Sequence, residues 1–318
     1  MLVNLFKSKT PVAIFSLPLL ICVLGLPLFF NTADTPASFF TWEAGFIGWV
    51  YSNVIFHYLF SIIIIYLGAI EVNRLVNVYG FYGKNTYLAG LFYVLLIFTF
   101  THFHFSLDLL AILFLGYGLG FLFRINRQDK ANSAVFMAAL FIGGATVFTP
   151  VVAPLVLLPW FTLVIFRSFI WREWMMLILG IALPWFYHYA IVFLSTGQLD
   201  IRREGLTIIN DSFQWFLHHT FLIGFIVLVL LWGSWQYAVI ARTALLAFKK
   251  RSRILFHFVW LSLIPFGLSW FLFDEPYFAF VIPYSVMLCV VFLKLSSALF
   301  ANILLGLWLV LLFWDFLG

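Results

Sequence analysis

Residues 86–125 read TYLAGLFYVLLIFTFTHFHFSLDLLAILFLGYGLGFLFRI. Two apolar runs, 86–104 and 106–125, meet at a turn around THFHFSLD, residues 101–108. Each run is close to the roughly 20 residues that a helix needs to cross a hydrocarbon core about 30 Å thick. Neither run alternates polar and apolar residues, so neither has a face to offer to water. Such a helix is buried in protein or in lipid.

The same pattern extends in both directions. Apolar spans are expected at about 11–30, 50–70, 86–104, 106–125, 132–148, 150–167, 174–194, 213–238, 254–272, 277–294 and 297–315. The chain of 318 residues is 65% hydrophobic and 9% charged, whereas a soluble domain carries roughly 25% charged residues. The expected fold is therefore an all-α, polytopic integral membrane protein. It has about eleven transmembrane helices in a single membrane domain over residues 1–318, with no soluble domain. The first apolar run is too long for a signal peptide and no small-residue cleavage site follows it. Cys22 and Cys289 lie inside apolar runs and read as small hydrophobes. The net charge of +5 does not point to nucleic acid.

Orientation follows from the cations. With the N-terminus inside, 15 of the 17 Lys and Arg fall in inner segments, as the positive-inside rule requires. Arg202 and Arg203 are the exceptions. The C-terminus is then outside, and nine of the 12 acids lie on the outer side. The inner segment 71–85 reads as a short interfacial helix and turn. The run Lys249–Arg253, KKRSR, reads as a topology anchor that touches anionic headgroups.

Chemistry-bearing residues gather on the outer side. Asp34 and Glu43 lie in the first outer loop, NTADTPASFFTWEAGFIGWV, beside Trp42 and Trp49. A carboxylate at that depth can act as a general base or hold a divalent cation. Arg202 and Arg203 suit a phosphate or lipid headgroup, because an Arg fork matches phosphate oxygens. They also suit local pairing with Asp200 and Glu204. His102, His104 and Asp108 are a weak metal-ligand set: residues two apart diverge on a helix, so the two His converge only if the turn is extended. His57, His188, His218 and His219 add to the outer side. Gly116, Gly118 and Gly120 read as close-packing positions. Pro150, Pro154 and Pro159 read as starting or bending a span.

FRSFIWREWMMLILGIALP, residues 166–184, with Lys84–Tyr87 and Ile282–Pro283, resembles an uncharacterised family of bacterial polytopic inner-membrane proteins over nearly the whole chain. Members are often labelled carotene monooxygenases, but neither HxxxH nor HxxHH occurs here. Residues 133–184 are also similar to the middle of multi-spanning glycosyltransferases that use polyprenyl-phosphate sugars. Those residues comprise Gly143 and Gly144, then Thr149-Pro150, a cationic inner loop, and Gly180 with Pro184. That resemblance implies catalytic acids in the first outer loop, where Asp34 and Glu43 can match, and membrane lipid or a polyprenyl-phosphate-linked sugar as partner. This chain departs from that family in its shorter loop, its lack of adjacent paired acids and its lack of an extra soluble domain.

Three classes of function follow: a lipid-linked-sugar glycosyltransferase-like protein acting at the outer face, a non-enzymatic subunit or scaffold of an envelope or secretion assembly with protein partners, and a transporter or lipid-handling protein. No cofactor is expected beyond the divalent cation. A transporter would place ionisable residues near the midplane, where the expected spans have almost none.

Overall fold

A computed structural model describes residues 6–7, 11–25, 49–50, 53–81, 85–101, 106–125, 131–196, 220–272, 277–295 and 298–317. Eleven α-helices form among them: α1 (Pro11–Gly25), α2 (Val54–Val78), α3 (Leu88–Thr101), α4 (Leu107–Arg124), α5 (Asn132–Phe148), α6 (Leu157–Phe166), α7 (Trp171–Thr196), α8 (Thr220–Thr243), α9 (Leu246–Leu272), α10 (Val281–Lys294) and α11 (Ala298–Leu317). A 3-10 helix, Pro150–Val156, leads directly into α6. The described residues contain no strand. Five helices (α2, α4, α7, α8 and α9) are long and apolar enough to cross a membrane, and six further apolar segments are shorter. This is an all-helical bundle of membrane-protein character.

Apolarity on all sides explains the centre of the bundle. α3 is buried from Leu88 to Phe100, and α10 is buried from Val281 to Leu293 except at half-buried Tyr284. The two helices pack through aromatic rings, with Phe92 4.6 Å from Phe292 and Phe100 4.4 Å from Phe278. Around them stand α2, α8 and α11, the last contributing the fully buried Trp308, whose indole N–H donates to Thr99 Oγ1 at 3.2 Å.

A second layer, α4–α5–α7, is set by small residues. A Cβ at Gly118 of α4 would lie 2.7 Å from the Ile142 side chain of α5. A Cβ at Gly143 of α5 would lie 3.0 Å from the Ile181 backbone of α7, and one at Gly180 would lie 2.7 Å from the Phe136 carbonyl. In an apolar solvent helices gain nothing by hiding apolar surface from each other. Close van der Waals approach therefore holds them, and small residues permit it.

Residues 71–78 are helical and a turn follows, as expected, but this helix is the last part of α2 rather than a separate short one. α2 continues to Val78, and Glu71 is 3% exposed. The helix survives its charges because Glu71 and Arg74, three residues apart, share a face. Arg74 Nε donates to Glu71 Oε2 at 2.7 Å, and a second bond closes the fork at 2.5 Å. Gly120 of α4 makes room for them, since a Cβ there would lie 2.9 Å from Glu71 Oε1. The KKRSR run likewise lies inside α9 rather than in a loop. Buried Arg251 donates to the Tyr79 carbonyl and stacks at 5.8 Å over the Tyr79 ring. The Tyr79 hydroxyl in turn donates to the Gly120 carbonyl at 2.6 Å.

Ten of the eleven described Lys and Arg lie at one end of the bundle, toward the C-termini of α2, α4, α6, α8 and α10 or the N-termini of α7 and α9. Lys7 joins them, because the Phe6 carbonyl beside it accepts from the Thr86 hydroxyl and from the Tyr87 N–H. Glu173, 2% exposed, pairs there with Arg167 at 3.3 Å. Asp108 lies at the opposite end.

Gly180→Leu is expected to lower the melting temperature in detergent, through an overpacking cost of about 1–3 kcal/mol. Gly224→Ala, where nothing lies within 4 Å of the new Cβ, should leave it unchanged or raise it. Equal melting temperatures for wild type and Gly180→Leu would refute the close α5–α7 contact.

Candidate functional site at the Asp108 end

Three helices meet at the end opposite the cations. Asp108 sits in the first turn of α4, after Ser106 at the N-cap, where the helix dipole favours a negative charge. Thr149, at the C-terminal end of α5, lies beside it. Thr149 precedes Pro150, and a residue before proline is pushed to extended backbone. Its φ of −136° and ψ of 96° end α5 and begin the 3-10 helix. Its N–H still bonds the Ala145 carbonyl at 3.0 Å, and its hydroxyl donates to Asp108 Oδ1 at 2.6 Å. Thr149 is 2% exposed.

Thr146, one turn back on α5, faces α7. Its hydroxyl donates to the Gly143 carbonyl at 2.7 Å and accepts from Trp185 Nε1 at 2.9 Å. Trp185 opens an aromatic group on α7. Its ring lies 6.0 Å from His188 and 5.7 Å from Tyr189, and those two lie 5.6 Å apart. Rings with one apolar and one polar edge suit a membrane–water boundary. His57, near the start of α2, is buried at the same end, and its carbonyl accepts from the Ser61 hydroxyl at 2.9 Å.

On the far side of α4, Tyr277 precedes α10. Its N–H donates to Ser269 Oγ of α9 at 2.7 Å, and the neighbouring Phe278 stacks on Phe100 at the end of α3. The Tyr277 side chain is buried, with no hydrogen-bond partner for its hydroxyl among the described residues.

Asp108 differs from the other acids whose side chains are described. Glu71 and Glu173 each carry an arginine, whereas Asp108 is held by a hydroxyl. Ionisable groups within an apolar bundle are costly and are commonly paired or functional.

Of the site residues expected from sequence, Asp108 is described. Asp34, Glu43, Arg202, Arg203, His102 and His104 lie outside the described residues. Among the described residues no group of three or more His, Cys, Asp or Glu is placed to hold a metal ion. Sequence reasoning missed Thr146, Thr149 and Trp185 as companions of this end. The signal for Thr149 was present as a threonine before proline at the end of an apolar run. Comparison with protein-family models, with curated proteins and with solved structures finds no match.

Thr149→Val removes the hydroxyl while keeping the side chain's shape. The change should cost about 1–3 kcal/mol, because it leaves the Asp108 carboxyl without its partner. Asp108→Asn should soften that loss when combined with it, which a double-mutant cycle of melting temperatures would read.

Proposed function

We propose that the chain is an eleven-span protein of a bacterial inner membrane, with its N-terminus in the cytoplasm and its C-terminus outside, and that it acts at the outer face on the headgroup of a lipid-linked sugar. The observation that carries this reading is the polarity of the bundle. The described cations gather at one end, while Asp108, Thr149, Trp185, His188 and Tyr189 gather at the other. The 3-10 helix and α6 together count as one span, so the eleven apolar segments alternate in direction. The basic end is then cytoplasmic in every case.

Asp108–Thr149 and the Trp185 group lie at the depth where a headgroup meets the hydrocarbon. Asp34 and Glu43 belong to the loop that enters this face and are the proposed acids. One takes the proton from an acceptor hydroxyl, while the other, or a divalent cation it holds, balances the departing phosphate. Arg202 and Arg203 are proposed to bind that phosphate by bidentate hydrogen bonds. The likeness to polyprenyl-phosphate-sugar glycosyltransferases supports this assignment through Thr149-Pro150, Gly143, Gly144 and Gly180. Gly143 and Gly180 lie on the close α5–α7 contact, Gly144 faces Phe114 of α4, and Thr149 lies at the Asp108 end.

A second reading is a scaffold of an envelope assembly. It draws on α7, whose apolar window is 17% buried within the bundle. Phe186, Tyr187, Ile191 and Leu194 are all exposed on that helix.

Topology is checked by thiol labelling in intact cells. Phe40→Cys, Asp200→Cys and Glu275→Cys should react with an impermeant maleimide, and Val78→Cys, Gln128→Cys and Lys250→Cys should not. Labelling at 128 or 250 in sealed cells would overturn the orientation. For the activity, Asp34→Asn or Glu43→Gln should abolish complementation of a deletion strain at unchanged membrane level. General-base roles are worth about a hundredfold to ten-thousandfold in rate. Full complementation by both variants would favour the scaffold, which in turn expects its losses from bulky changes on α7.

A further inference from the structure

The KKRSR run turns its cations to two sides of α9. A helix advances about 100° per residue, so Lys249, Arg253 and Lys250 fall, in that order, within an arc of about 100°, and Arg251 lies roughly 160° from Arg253. Arg251 is buried and donates to the Tyr79 carbonyl. Arg253 is exposed, and Lys249 and Lys250 are half-buried. Lys and Arg in such positions lay their stems along apolar surface and keep their charged heads at the interface.

The arc has an apolar continuation. His257, Trp260 and Ile264 follow on the same side of α9 by the same angular count. Trp260 is 71% exposed and Ile264 46%. Helix α6 runs along one edge of this arc. The Lys250 ammonium lies 6.0 Å from the centre of the Phe166 ring, and the His257 ring lies 5.4 Å from that of Phe161. His257 Nδ1 donates to the Arg253 carbonyl at 2.6 Å, which ties the ring to its own helix. Phe161 and Val164 are themselves exposed on α6. The two helices thus share one exposed strip, with cations at one end and apolar side chains along the rest. From Arg253 to Ile264 it extends about 17 Å by helix rise. That is about half of a hydrocarbon core roughly 30 Å thick, the depth of one leaflet.

Charge decides what covers the strip. Neither α6 nor α9 contains an Asp or a Glu, and nor does α8, which precedes α9. Basic surface between membrane helices attracts anionic headgroups. We infer that Lys249, Lys250 and Arg253, with the strip that α6 and α9 expose beside them, bind one anionic phospholipid of the leaflet at the basic end. Its phosphate meets the cations, and an acyl chain lies along Phe161, Trp260 and Ile264. Arg253 stands between the two lysines around the helix, so its planar fork takes the phosphate oxygens while the lysines flank it as point charges. The sequence suggested headgroup contact for the whole basic run. The structure takes Arg251 out of that contact and brings α6 into it.

This inference does not depend on the lipid-linked-sugar reading, because the site lies at the opposite end of the bundle and its readout is lipid-linked stability rather than activity. A ligand that binds the folded state alone raises stability with its concentration. Purified protein in detergent is melted with added phosphatidylglycerol, with an equal amount of phosphatidylcholine, and with inorganic phosphate at the same phosphate concentration. Phosphatidylglycerol should raise the melting temperature by several degrees over phosphatidylcholine, and inorganic phosphate should not raise it.

Lys250→Gln combined with Arg253→Gln should remove at least two-thirds of that rise. Arg124→Gln combined with Lys294→Gln, which takes the same charge from the same end, should keep it. If the first combination does not fold, Arg253→Gln alone decides, since that side chain is exposed, and it must at least halve the rise. An equal rise with phosphatidylcholine, a rise with inorganic phosphate alone, an unchanged rise in the Arg253 variants, or an equal loss in both combinations overturns the site. A failure of the Asp34 and Glu43 predictions in complementation would not touch it.

Discussion

The bundle depends on backbone-to-backbone approach at a few glycines. In lipid, apolar side chains gain little by meeting each other, and helix association rests on contacts that lipid chains cannot reproduce. α4 is the pivot. On one face Gly120 receives the Glu71–Arg74 pair of α2, and on another Gly118 receives Ile142 of α5. α5 passes the contact on through Gly143 to Ile181 of α7. A side chain added at any of these positions would have to displace its neighbour.

Charge is handled differently at the two ends. At the basic end each described acid is matched by an arginine, and Arg251 uses a backbone carbonyl and an aromatic ring. The Tyr79 carbonyl and hydroxyl tie α9 to the end of α2 and to Gly120 of α4. At the other end hydroxyls replace cations. The Asp108–Thr149 bond joins α4 to the α5 junction, and Trp185 joins α5 to α7 through Thr146. Ion pairs thus hold the acids at one end and neutral donors hold Asp108 at the other.

Much of this was legible in the sequence. Apolar run length gave the helices to within a few residues at most boundaries, because length and composition are what a hydrocarbon core selects. Gly118, Gly120 and Pro150 were readable for the same reason: small residues and proline act locally. The burial of Glu71 and the continuity of 71–78 with α2 were not legible, because sequence shows Glu71 and Arg74 as charges, not as a closed pair. Their neutralisation depends on Gly120, 46 to 49 positions away along the chain. The candidate site was legible only at Asp108. Thr146, Thr149 and Trp185 carry ordinary side chains, and their roles come from three helices converging. The expected acids Asp34 and Glu43 lie outside the described residues.

The 3-10 segment at Pro150 alters the geometry of length itself. A 3-10 turn rises about 2.0 Å per residue against 1.5 Å in an α-helix. Seven residues of 3-10 helix and ten of α-helix therefore reach about 29 Å, close to the hydrocarbon thickness, where seventeen α-helical residues would fall several ångströms short. Stretching the chain lets a short segment approach the length of its longer neighbours. Pro154 has no backbone N–H to complete an α-helical bond to the Pro150 carbonyl, so the pitch of this segment is written into its sequence, and with it the place of Thr149, the residue that holds Asp108.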